Sequence, residues 1–233
     1  MRILRAEGRA AAPWSNGGGV TREVAVQPPG SGWDTFAWRV SLADVTRDGP
    51  YSPLPGVRRI LTVVDGAGLE LTVDGTAQLL PERYRPFAFP GGAATDSRLL
   101  DGRPVVNLNV MLREGRAAAT VEMVRGRGRG RGSRVVWPAG GGAADRGRDG
   151  DRVRDPDEVM VVAVEGRAWL GAPGASLGEP GASPGVPGAH EAQLERFDAA
   201  LLTAPDAAAA ALWTDGTAAV IALSATATAP DRP

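Results

Sequence analysis

Val57-Arg58-Arg59-Ile60-Leu61-Thr62-Val63-Val64-Asp65-Gly66 runs into Gly68-Leu69-Glu70-Leu71-Thr72-Val73-Asp74-Gly75 and then Gln78-Leu79-Leu80. These are short β-branched and aliphatic segments, the first two closed by an Asp-Gly pair. Asp-Gly tolerates the left-handed backbone of a two-residue hairpin turn, so Asp74-Gly75 predicts that 68–73 folds back on 78–80. The same rhythm extends in both directions. Phe36 to Ala43 alternates with period two, with Phe36, Trp38, Val40 and Leu42 on one face and Arg39 and Ser41 on the other. Val105 to Leu112 sets Asn107 and Asn109 on one face, opposite Val106, Leu108 and Val110. Strands at such spacing, with turn residues between them, predict an all-β sandwich or barrel. No stretch of this half has a helical period long enough for βαβ units.

Upstream lies Pro13-Trp14-Ser15-Asn16-Gly17-Gly18-Gly19-Val20-Thr21-Arg22-Glu23. Three consecutive glycines have much backbone freedom to lose on folding, so they belong where a turn or a close approach requires them. Two readings stand: a loop whose N–H groups and Arg face a polar ligand, or a tight turn with a packed Trp and a solvated Arg–Glu pair. Downstream, Val159 to Val164 is a buried strand ending at Glu165-Gly166, and Thr217 to Leu223 is a last strand. The repeated pattern of a strand, an acid-Gly turn and a shorter strand predicts two β domains in tandem, over 1–115 and 116–233. Two low-complexity stretches, 125–134 and 171–190, interrupt the second, and Arg2 to Arg5 reads as a short lead-in strand.

Composition narrows the chemistry. The 233 residues carry 26 basic and 27 acidic side chains, a net charge of −1, which supplies no general field for nucleic acid or an anionic membrane. The arginine–glycine run at 125–134 is the one candidate interaction module, and it has no interleaved aromatic for base stacking. There is no cysteine and no lysine, which removes disulfides, thiolate ligands, Cys nucleophiles and Schiff bases. No leader-like apolar segment opens the chain and no apolar run reaches membrane-spanning length, so a cytoplasmic protein is expected. The single histidine, His190, lies in the 171–190 stretch. Histidine-based metal centres and a Ser–His–acid triad therefore have little to draw on, and neither a metal nor another cofactor is expected.

What remains is a pocket of arginine, amides, a hydroxyl and aromatics. Arg39 and Ser41 share one strand face, Asn107 and Asn109 share another, and Trp14, Phe87 and Phe89 could wall the space. Guanidinium forks bind carboxylates bidentately, and amides supply both donor and acceptor. The competing reading is structural: Arg39 pairs with Glu23, and the two Asn residues satisfy backbone groups.

The chain resembles the HutD/Ves family. The resemblance rests on Pro-Trp-x-Asn-Gly-Gly-Gly-x-Thr-Arg-Glu at 13–23, Phe-x-Trp-Arg-Val-Ser at 36–41 and Asp-Gly-Pro-Tyr-Ser-x-x-Pro-Gly-Val-x-Arg at 48–59. Phe-x-Phe-Pro-Gly at 87–91 and Asn-Leu-Asn-Val-Met at 107–111 complete it. Where the family pattern implies an Asp in the last motif, this chain has Asn107. The resemblance implies a bicupin, two tandem jelly-roll barrels with a pocket in the N-terminal one. It also implies a regulatory role in histidine utilisation through binding a small carboxylate such as N-formylglutamate or urocanate. By position it assigns Arg39 and Arg58 or Arg59 to the carboxylate, Asn16, Ser41, Asn107 and Asn109 to polar contacts, and Trp14 and Phe89 to the walls. The alternative is a metal-independent isomerase or hydrolase with Glu23 or Asp101 as general base. A cupin edge strand could also support a homodimer.

Overall fold

A computed structural model of the chain describes residues 1–80, 82–126, 134–136, 156–172 and 192–225. Residues 127–133 of the arginine–glycine run 125–134, most of 171–190 and His190 lie outside the described residues. The chain is nearly all β and forms two compact units, one of residues Gly8–Ala118 and the other of Met1–Glu7 with Ala119–Ser224.

In chain order the strands up to the middle of the sequence are β1 (Arg2–Leu4), β2 (Ala11–Pro13), β3 (Gly19–Gln27), β4 (Trp38–Val45), β5 (Gly49–Pro50), β6 (Val57–Asp65), β7 (Leu69–Val73), β8 (Thr76–Leu80), β9 (Phe87–Pro90), β10 (Thr95–Leu99) and β11 (Val105–Arg113). Then follow β12 (Ala117–Arg125), β13 (Arg134–Val135), β14 (Glu158–Glu165), β15 (Ala168–Gly171), β16 (Ala192–Leu194), β17 (Ala199–Thr203), the short helix α1 (Ala204–Ala208), β18 (Ala211–Thr214) and β19 (Thr217–Ala225). The N-terminal barrel is a six-stranded sheet in the order β2-β3-β4-β11-β6-β9 and a four-stranded sheet in the order β5-β10-β7-β8. The second unit repeats the plan with β1-β17-β14-β19-β12 and β13-β18-β15-β16. The predicted hairpin is present: β7 pairs antiparallel with β8 from Val73↔Thr76 to Leu69↔Leu80, and Asp74 and Gly75 both have positive φ, 46° and 78°.

One boundary differs from the sequence reading. Residues 1–7 do not join the barrel that follows them. β1 pairs with β17 from Arg2↔Leu201 to Leu4↔Ala199, inside the C-terminal unit. Buried Asp198 anchors the turn after it, accepting from Ala6 N–H at 2.6 Å and from Arg5 Nη1 at 2.7 Å. Burial alone would raise the Asp198 carboxyl, but these donors together with Glu195 N–H hold it below the usual aspartate value.

The core of the N-terminal barrel lies between its two sheets. Val45, Leu61, Val63, Leu69, Leu71, Leu99 and Val105 pack there with Tyr51 and Phe89. Each fully buried aliphatic side chain is worth about 1.5–3 kcal/mol. The register shows which residues share that inward face. Asn109 lies opposite both Ser41 on β4 and Leu61 on β6, and Met111 lies opposite both Arg39 and Arg59. The inward face is therefore the one that carries Arg39, Ser41, Asn107, Asn109 and Arg59, while Trp38, Val40, Leu42 and Leu108 face outward and are buried as well.

Candidate functional site

A cavity of about 410 Å³ opens into the N-terminal barrel. Its polar lining comes from Arg59 on β6, Ser41 on β4, Asn109 on β11 and Thr21 on β3, with Ser15, Asn16 and Ser52 from the connecting loops. Trp14, Trp33, Tyr51, Leu54 and Met111 supply the apolar walls.

The glycine triplet shapes the rim. Gly17 takes a positive φ of 67°, and Gly17 N–H donates to Trp14 O at 3.0 Å, closing a turn that aims the Trp inward. A Cβ on Gly19 would sit 2.2 Å from Asp44 O and 3.4 Å from the Trp14 ring, so only glycine lets β3 and the indole meet β4 this closely. Trp14 Nε1–H donates to Thr21 Oγ1 at 2.8 Å, which fixes the ring as a wall. Asn16 is spent on the loop itself: its Oδ1 accepts from Gly18 N–H at 2.9 Å and its Nδ2 donates to Pro50 O at 3.2 Å.

Arg59 is the cation of this cavity. It is only 7% exposed, and among the described residues no carboxylate pairs with it. Its Nη1 reaches Ser52 O at 3.4 Å, and its Nε has no hydrogen-bond partner. Burial lowers its pKa from the ordinary arginine value. Arginine starts so basic that the guanidinium stays charged at neutral pH. Beside it, Ser41 Oγ and Asn109 Oδ1 are buried and also without a partner among the described residues. A buried polar atom left unpaired costs about 1–3 kcal/mol, and three of them converge on one cavity. The arrangement presents a positive fork, a hydroxyl and an amide oxygen to one small volume.

The structure separates the other sequence candidates. Arg39 does not line the cavity; its Nη2 pairs with Glu23 Oε2 at 2.7 Å, and its guanidinium lies 4.2 Å from the Trp33 ring. Glu23 lies opposite Ser41 and next to Arg39 on the same face, just ahead of a bulge between Glu23 and Ala25. Arg58 alternates with Arg59 and faces the other side of β6, opposite Leu112 and Pro90. Phe89 and Asn107 lie behind the cavity wall: Phe89 packs in the core, and Asn107 Nδ2 donates to the Tyr51 hydroxyl at 3.1 Å. Asp101 is exposed on a short turn with φ 56° and is not a lining residue. Tyr51, Trp33 and Thr21 line the cavity without having been singled out as site residues. Tyr51 had a signal, since it belongs to the Asp48-Gly49-Pro50-Tyr51-Ser52 motif.

Cupin barrels commonly hold a metal on inward histidines and a carboxylate. The side chains that line the cavity, among them one guanidinium, hydroxyls, amides and a thioether but no histidine or carboxylate, do not fit such an ion. Among the described residues no three His, Cys, Asp or Glu side chains cluster at ligand spacing.

The fold and this site define a bicupin whose N-terminal barrel encloses an arginine-bearing cavity without a metal-ligand set. The HutD family model matches residues 6–136, more than half of the chain, and the chain belongs to that family. It is 41% identical over 104 residues to an uncharacterised 21.2 kDa protein of the hutC 3' region of Pseudomonas putida, covering 44% of this chain and 53% of that one. It is 34% identical over 110 residues to Protein Ves of Cronobacter sakazakii, covering 47% and 59%. These alignments thus span little more than half the length of either relative. Among solved structures, a conserved protein of unknown function from Pseudomonas aeruginosa PAO1 superposes with a TM-score of 0.71 at 25% identity, covering 96% of this chain and 98% of that chain. HutD from Pseudomonas fluorescens SBW25, in a formate condition, superposes with a TM-score of 0.65 at 26% identity, covering 96% and 98%. No helix among the described residues is long and apolar enough to cross a membrane.

Proposed function

We propose that the N-terminal barrel is a receptor for a small carboxylate and that the protein serves histidine utilisation as a sensor rather than as a catalyst. The observation that carries this reading is Arg59, a buried guanidinium in a cavity with no carboxylate of its own. A guanidinium so placed is costly unless something anionic meets it. A ligand carboxylate supplies the missing charge, and Ser41 and Asn109 supply a hydroxyl and an acceptor for its polar remainder. The link to histidine utilisation is supported by the P. putida relative from the hutC 3' region and by the P. fluorescens HutD structure in formate. N-formylglutamate and urocanate are the candidate ligands. The competing enzyme reading has less support, because Glu23 is engaged with Arg39 and Asp101 lies away from the cavity lining.

The test is a thermal-shift titration with N-formylglutamate, urocanate, glutamate and formate, with product analysis of every mixture. A ligand at 100 times its Kd adds about 2.7 kcal/mol of apparent stability. Stabilisation with the ligand recovered unchanged supports the sensor. Turnover would make the protein an enzyme, and no shift with any of the four would remove the carboxylate reading.

A further inference from the structure

Arg59 is held by more than its own backbone. Its guanidinium carbon lies 5.1 Å from the centre of the Tyr51 ring and 5.8 Å from that of Phe89. Each ring is fixed in turn. Tyr51 N–H donates to Thr95 O at 2.9 Å, its hydroxyl accepts from Asn107 Nδ2 at 3.1 Å, and its ring lies 5.7 Å from Trp14 at 59°. Phe89 sits directly opposite Arg59 in the β6–β9 ladder and stacks on Phe87 at 5.8 Å and 24°. A guanidinium against two immobile rings has few rotamers left, and both contacts favour the charged form.

We propose that Tyr51 and Phe89 are positioning residues of the cavity. They clamp the Arg59 guanidinium in the orientation that meets a carboxylate, and Asn107 tethers the Tyr51 ring through its hydroxyl. This rests on the carboxylate-binding reading above. Plain space-filling would not need the tether. Asn107 is fully buried, and burying an amide beside a phenol costs free energy that an aliphatic pair of the same volume would not. Preorganisation of this kind lowers the ordering cost of binding.

The experiment measures the affinities of formate and urocanate against those of their primary amides, formamide and urocanamide, for the wild type, Tyr51→Phe, Tyr51→Met, Phe89→Leu and Arg59→Gln. A purely structural role would weaken acid and amide alike. The clamp acts through Arg59, so its loss lowers the acid-over-amide preference. Tyr51→Met and Phe89→Leu are expected to cut that preference at least tenfold. Tyr51→Phe keeps the ring and loses only the tether, and should cut it less than fivefold. Tyr51→Met added to Arg59→Gln should cost the acid nothing further. Equal weakening of acid and amide by Tyr51→Met and Phe89→Leu would overturn the clamp and leave the carboxylate reading standing. A wild type that binds neither acid, nor N-formylglutamate or glutamate, would overturn both. Should Tyr51→Met fail to fold, an unchanged preference in Phe89→Leu is sufficient to overturn the clamp.

Discussion

In the N-terminal barrel the central strands β4 and β11 turn Ser41, Asn107 and Asn109 inward; in the C-terminal barrel the central strands β14 and β19 are built from Val159 to Val164 and Ala218 to Leu223, all buried. The two also differ in how their buried polar groups are used. In the C-terminal barrel Asp198 accepts from Arg5, Ala6 and Glu195, Thr214 Oγ1 donates to Arg167 O, and Thr217 Oγ1 donates to Glu165 Oε2. In the N-terminal barrel Arg59 Nε, Ser41 Oγ and Asn109 Oδ1, all on cavity-lining residues, have no partner among the described residues, and neither do Arg39 Nε, Thr62 Oγ1, Asn107 Oδ1 and Arg113 Nε away from the lining. One strand plan thus serves two ends. Polar groups whose bonds close within the fold hold elements in place, whereas three of the open ones, on Arg59, Ser41 and Asn109, belong to residues that line the cavity. The contrast can be tested from either side.

The largest effect is expected from making the C-terminal barrel resemble its neighbour. Val161 is fully buried between Ala200 and Val220, so Val161→Asn places an amide where neither flanking residue offers a side-chain partner. It should destabilise by roughly 3 kcal/mol in chemical denaturation. A cost below about 1 kcal/mol would mean that the apolar filling is incidental.

The next effect is in pH. The folded Tyr51 pKa, raised to about 12 by burial, lies above the ordinary 10.0. Stability that depends on the neutral phenol is therefore intact below pH 10 and is lost as pH rises through about 12. On the order of 2–3 kcal/mol should disappear over that window, and Tyr51→Phe should lose less across it. Identical alkaline slopes for the two proteins would contradict the burial of that hydroxyl.

A smaller effect comes from closing the open site from within. Asn109 and Arg59 both line the cavity, diagonal to each other and two register positions apart on β11 and β6. Asn109→Asp supplies Arg59 with a carboxylate in cis and should weaken ligand carboxylates roughly thirtyfold, about 2 kcal/mol, as read by calorimetry. Unchanged affinity would mean that Arg59 is not where the ligand's charge rests.

Much of this was legible in the chain. Period-two alternation located β4 and β11 and set Ser41 beside Arg39 and Asn107 beside Asn109, because one buried face imposes that period on a strand. Asp74-Gly75 marked the hairpin through its backbone requirement. The choice between Arg58 and Arg59 was not legible: both faces of β6 are apolar, with Leu61 and Val63 on one and Ile60 and Val64 on the other, so the pattern carries no phase. Arg39 was assigned to the carboxylate by resemblance, whereas its pairing with Glu23, the competing reading of the same residues, is the contact the structure forms. Tyr51 sits in a proline-rich connection that reads as a rigid loop, and only the closing of the barrel carries it to Asn107 and Arg59. The partner of β1 was hidden for a plainer reason. Three residues hold too little pattern to identify a strand in the other half of the chain.

The central claim is that Arg59, and not Arg39, receives the carboxylate. The direct measurement is urocanate and N-formylglutamate binding to Arg59→Gln and Arg39→Gln side by side, with the fold of each verified by circular dichroism. Arg59→Gln should lose about 1.5–3 kcal/mol of binding free energy, the worth of hydrogen bonds to a charged group. Arg39→Gln removes an ion pair with Glu23 and a contact with the Trp33 ring, neither of them a contact of Arg39 with the ligand, and should cost less than about 1 kcal/mol of binding. The reverse ranking would contradict the account and move the site to the Arg39–Glu23 pair.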